Sequence, residues 1–175
     1  MWRYGIRPDA CKYSLTRSPR SLDRLRLHAL DCEDLSLISA HLQDALIRVG
    51  DIAFLPGKRR FALIGSRFDW AAELDGRLER CRCGLHFEGV QRVRCQNVSR
   101  ERPDAILELL AVTFEPDVDP PSGVVRLFFA GGASIALEVE CVEAQLCDVG
   151  PRWKVAARPA HDLSGELDEG APRGP

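Results

Sequence analysis

Residues 124–130 and 133–142 are two β-rich runs separated by adjacent glycines, Gly131 and Gly132. A tight two-residue hairpin turn needs positive φ at its central positions, and glycine takes that conformation without strain. With such a turn, Ala130 faces Ala133, Phe128 faces Ile135, Arg126 faces Leu137 and Val124 faces Val139, all on one side of the hairpin. Leu127, Phe129, Ala136 and Glu138 fall on the other side. Both sides are then partly apolar, so each needs cover. A curled half-barrel with a helix against part of it meets that need. A bulged three-residue loop would instead shift the pairing by one and reassign the faces.

The helix is sought upstream. Asp31 reads as an N-cap with Glu33 and Asp34 in the first turn. From there Leu35, Ile38, Leu42, Ala45, Leu46 and Val49 recur at helical spacing, and Gly50 supplies a stop. A short strand over residues 25–29 precedes it. A second hairpin over residues 51–55 and 60–64 follows, with Pro56-Gly57 suited to a type II turn. Residues 71–82 read as an exposed loop or one weak helical turn. Residues 85–95 read as one long strand bulged at Gly89, and residues 106–114 as a central apolar strand. The expected fold is therefore α+β, a curled antiparallel sheet or half-barrel of about seven strands with one N-terminal amphipathic helix.

Length and composition set the domain organisation. At 175 residues and 45% hydrophobic, the chain suits one domain over residues 23–162. Residues 1–22 carry Arg3, Arg7, Lys12, Arg17 and Arg20 against the single acid Asp9, and read as a disordered basic arm. Residues 163–175 read as a disordered acidic tail. The net charge of −2 gives no overall attraction to nucleic acid or an anionic membrane. No apolar run approaches the roughly 20 residues that span a bilayer, and the N-terminus shows no secretory signal, so the expectation is a cytoplasmic protein. Seven cysteines without a C-x-x-C pair are expected to be reduced and mostly buried, with no metal at Cys81 and Cys83.

Several blocks carry a resemblance: residues 30–35, 39–45, 60–63, Arg67-Phe68-Asp69-Trp70, 129–132, 139–146 and Arg158-Pro159-Ala160-His161-Asp162. In this order they resemble a family of small bacterial proteins, domain of unknown function 2948, from about Leu25 to Asp162. The resemblance implies no activity, substrate or cofactor. It also implies a start close to Leu25, so the basic arm is a departure.

Candidate sites follow from the remaining chemistry. On a continuous helix His41, Asp44 and Arg48 form a line, either a general base with its orienting acid or, more commonly, an ion-pair ladder. Arg67, Phe68, Asp69 and Trp70 form either a recognition corner or a core plug whose Arg67 and Asp69 stay wet. Glu138, Glu140 and Glu143 read as solvated strand residues. His86, Arg92 and Arg94, with Arg80, Arg82, Arg100 and Arg102 beside them, lack the interleaved aromatics of a base-stacking surface. His161-Asp162 marks either a site or the last ordered contact. No catalytic or phosphate-binding motif is present. The expectation is a non-catalytic binding or scaffold module for a protein partner, acting through a sheet edge or the Phe68–Trp70 corner. It needs no cofactor, membrane or nucleic acid. The alternative is a small-ligand binder or enzyme with a pocket enclosed by the sheet.

Overall fold

The computed structural model describes residues 24–159. The expected basic arm, the acidic tail and His161-Asp162 lie outside the described residues. Among those described are nine strands: β1 (Arg26–Ala29), β2 (Ala45–Leu55), β3 (Arg60–Phe68), β4 (Glu79–Phe87), β5 (Val90–Gln96), β6 (Ile106–Pro116), β7 (Gly123–Phe129), β8 (Ser134–Val139) and β9 (Ala144–Lys154). Two helices join them, α1 (Cys32–Leu42) and α2 (Trp70–Leu74). All strand pairs are antiparallel, in one sheet of order β1-β9-β4-β3-β2-β6-β7-β8-β5. An α+β chain with an antiparallel sheet was expected; nine strands replace about seven.

The sheet does not close, and β1 and β5 are its two edges. β4 and β5 are consecutive in the chain, yet β5 pairs with β8 at the far end of the sheet while β4 lies between β3 and β9. Gly89, at φ +63°, makes that bend, and Val90 N donates to Arg59 O at 2.7 Å beside the β2–β3 turn. The expected long strand over residues 85–95 is thus two strands serving different parts of the sheet. β4 also begins earlier than expected, inside the polar stretch read as a loop.

α1 starts as its sequence directs. The Asp31 carboxylate accepts from Asp34 N at 2.8 Å, and Glu33 and Asp34 sit in the positively polarised first turn. Its length is corrected, because the helix ends at Leu42 rather than at Gly50. Gln43 leaves helical geometry and Asp44 adopts a left-handed φ of +59°, which a short polar side chain tolerates better than most. Beyond it Ala45, Ile47 and Val49 are buried on alternate positions, and residues 45–48 pair with β6 while Leu46 and Ile47 also pair with β3. Two ladders of backbone hydrogen bonds and β-branched side chains outweigh a helical stripe that this segment could also have continued. The α1 residues Leu35, Ile38 and Leu42 join one core cluster with Phe61, Leu85, Phe87, Leu109, Leu127 and Leu137, so the helix lies against the inner face of the sheet.

The β7–β8 hairpin forms, with a corrected register. Its loop is Ala130–Gly132, closed by a bond from Phe129 N to Ala133 O at 2.9 Å, with Gly131 and Gly132 at φ +74° and +73°. Phe128 therefore faces Ser134, Arg126 faces Ala136 and Val124 faces Glu138. That is the three-residue alternative, and the side chains of β8 turn over relative to those of β7 compared with the two-residue reading. Val125, Leu127, Phe129, Ile135, Leu137 and Val139 point inward and are buried. Val124, Arg126, Phe128, Ser134, Ala136 and Glu138 point outward and are half-buried or exposed, so the two-sided cover expected for this hairpin is not needed. The β2–β3 connection is a hairpin as expected, but Pro56–Lys58 form a 3-10 turn ending at a left-handed Arg59 instead of a type II turn.

Candidate functional site

Strand alternation carries Arg67 inward. On β3 the alternating buried positions are Phe61, Leu63, Gly65 and Arg67, with Phe68 also buried at the strand end; on β9 they are Ala144, Leu146 and Asp148; on β4 they are Cys81, Cys83, Leu85 and Phe87. The inner face is thus apolar along most of its length and charged at one corner. There the Arg67 guanidinium clasps Asp148 through Nε to Oδ1 at 2.9 Å and Nη2 to Oδ2 at 3.1 Å. Leu25 N and the Cys81 thiol also donate to that carboxylate, at 3.1 and 3.2 Å, and Arg152 Nη2 lies 3.4 Å from it. Asp69 accepts from Ala72 N as the N-cap of α2 and pairs with Arg152 Nη1 at 2.8 Å.

The formal charges at this corner balance. Its two arginines, Arg67 and Arg152, meet two carboxylates, Asp69 and Asp148. Burial pulls the Arg67 guanidinium down, but its bonds to Asp148 and the nearby charges hold it above its usual value. Burial pushes Asp148 up, yet the Arg67 donors hold it below the usual carboxylate range. The Cys81 thiol is pushed up to about 12, chiefly by burial, so it is no thiolate nucleophile at neutral pH. His41, in the last turn of α1, is lowered by burial and then by Arg67, which keeps its imidazole neutral. Chemically, the arrangement ties β3, β4, β9 and the start of β1 together. Arg67 is 2% exposed, too deep to meet a ligand from solvent.

The expected site residues therefore divide. His41, Arg67 and Asp69 come together, with Phe68 buried beside them. The charges at the Phe68–Trp70 corner are inside instead of wet, while Trp70 is half-exposed, with its ring edge-on to Phe68 at 4.7 Å and Arg158 6.0 Å above it. The line of His41, Asp44 and Arg48 does not exist: Asp44 is buried in the turn after α1, with its N–H on Leu109 O, and Arg48 is on β2, paired with Asp51 and Asp104. Nor do His86, Arg92 and Arg94 share a strand. His86 is on β4 beside Glu88, and burial lowers its pKa.

The register shift of the hairpin creates a second site that the sequence reading missed. On the outer face Arg94, Ala136, Arg126 and Thr113 form one row across β5, β8, β7 and β6. Gln96, Ser134, Phe128 and Ala111 form the next. Small side chains at Ser134 and Ala136 leave a trough of about 280 Å³ walled by Arg94, Arg126, Val124 and Glu138. Glu138 is shared by Arg92 and Arg94, whereas Arg126 pairs with Glu115 at 3.1 Å. Phe128, 38% exposed, adds an apolar rim. The signal in the sequence was the alternative loop length, which puts Arg126 beside Ala136 on the outside.

Together these features define an open antiparallel sheet with one long helix on its inner face, a charged corner inside and an arginine-walled trough outside. The chain belongs to the family described as protein of unknown function, DUF2948, whose model matches residues 25–161. No curated protein and no solved structure matches it. Among the described residues no helix is long and apolar enough to cross a membrane, and no group of three or more His, Cys, Asp or Glu residues is placed to hold a metal ion.

Proposed function

We propose that this protein is a non-catalytic cytoplasmic binding module that holds an acidic segment of a protein partner on the outer face of β5, β8 and β7. The observation carrying this reading is the trough floored by Ser134 and Ala136 between Arg94 and Arg126. Exposed arginines beside an apolar rim are a usual composition for protein-binding surfaces. The charged inner corner favours no catalytic alternative, since Arg67 and Asp148 satisfy each other and the Cys81 thiol stays protonated. A pocket enclosed by the sheet has less support, because Phe61, Phe87, Leu63, Leu85 and Leu109 fill the inner face.

The test is fluorescence anisotropy with labelled acidic, neutral and basic peptides on the full chain. Acidic peptides are expected to bind, to weaken as salt rises, and to lose at least tenfold in affinity to Arg94→Glu with Arg126→Glu. Equal binding of all three peptide classes, or an unaffected double variant, would refute the reading.

A further inference from the structure

The same face ends at an open edge. β5 is the last strand of the sheet, with β8 on one side only. An antiparallel strand directs alternate pairs of backbone N–H and C=O groups to each of its two sides. Among the described residues, the only backbone bond that β5 makes outside its ladder with β8 is from Val90 N to Arg59 O, at its very start. The single irregularity in its pairing also falls early, between Val90 and Arg92, so residues 92–96 run in regular register against Glu138, Leu137, Ala136, Ile135 and Ser134. The opposite edge of the sheet, β1, has four residues and lies against α1.

From this edge we infer that the partner's segment adds to β5 as a tenth, extended strand with acidic residues at alternate positions. The inference rests on the binding reading above and carries the bound segment from the trough onto the edge that borders it. Arg92 and Arg94 both point outward, two residues apart, with side chains 67% and 66% exposed. One carboxylate, Glu138, serves both. A strand laid beside β5 would place its own outward side chains at i and i+2 next to these two guanidinium groups, as cross-strand ion pairs. Its inward side chains would fall beside Val93, which packs against the core, and so should be apolar. The occupant is thus an extended acid–apolar–acid sequence, bound by main-chain hydrogen bonds with charge setting its identity.

The same arginines exclude a second copy of this chain. Two β5 edges meeting would set arginine against arginine, the usual protection of an exposed edge against self-pairing. Protection from itself and attraction for an acidic strand are two results of one charge pattern.

The test uses the full chain and a labelled peptide, acetyl-Ser-Glu-Val-Glu-Val-Ser amide. Two further versions are N-methylated on odd or on even residues, and a fourth replaces Glu with Lys. Strand addition points alternate peptide amides at β5, so one methylation pattern should weaken binding at least tenfold while the other is tolerated. Arg92→Glu with Arg94→Glu should reverse the preference, so that the Lys peptide binds and the Glu peptide does not. Equal tolerance of both methylation patterns would overturn strand addition and leave the binding reading intact. Failure of every acidic peptide, of this and other patterns, would overturn both.

Discussion

Arg67 and Asp148 are 81 residues apart in sequence and meet in a two-pronged clasp at 2.9 and 3.1 Å, deep in the inner corner of the sheet. A buried pair of this kind repays its desolvation only while both members are present.

Removing one member is therefore expected to cost far more than removing both. Arg67→Met should lower stability by about 3–5 kcal/mol, because it leaves Asp148 buried without its main partner. Adding Asp148→Leu should recover part of that loss instead of doubling it. Urea unfolding of the two single variants and the double variant measures the difference, and strict additivity would contradict the clasp.

Stability should fall as acid is added, beginning near neutrality. His41 and His86 are both lowered from the ordinary 6.5 by burial and then by neighbouring arginines, Arg67 and Arg60. Their unfolded forms take up protons first, so their contribution is complete above pH 6.5 and is lost as pH drops through the lower folded values. Asp148, held below its usual 3.8, adds a second loss in stronger acid. Thermal unfolding across pH 4 to 7 should flatten in a variant carrying His41→Gln and His86→Gln, by at most the two-proton slope that linkage allows.

Glycine positions in and around the β7–β8 hairpin should differ in their tolerance. Alanine at Gly131 meets nothing within 4 Å, so its cost is the left-handed backbone alone, about 1–2 kcal/mol. At Gly123 an added Cβ would collide with Glu115 O and with the Phe114 ring at 2.6 Å. Gly123→Ala should therefore lower the melting temperature more than Gly131→Ala, as read by circular dichroism.

Ser39 links α1 to the sheet. Its hydroxyl accepts from Val112 N at 2.8 Å, just past the break in pairing between Leu109 and Ala111 on β6. Ser39→Ala leaves that amide without an acceptor and should cost about 1–3 kcal/mol. Hydrogen exchange at Val112 should accelerate in the same variant.

Much of the sheet was legible from local pattern. The N-cap at Asp31, the apolar β6 and the glycine-closed β7–β8 hairpin all carry signals within a few residues. What the sequence hid depended on distant partners. The helical stripe through Ala45 and Val49 was real as a pattern, but pairing with β3 and β6 decided it, and those strands lie outside any local window. Arg67 could have been placed inside by its period-two alignment with Phe61 and Leu63; only Asp148, on the last strand, makes that position tenable. The outer trough turned on one residue of loop length, which turns all the side chains of one hairpin strand over relative to its partner.

The strand order has a consequence for how the chain is made. β9, the last described strand to leave the ribosome, sits between β1, the first, and β4. A nascent chain that has not yet released residue 154 holds two unfinished seams, and the carboxylate that neutralises Arg67 is still missing. Completion of the sheet must therefore wait for β9, which favours slow folding and makes early termination before β9 ruinous.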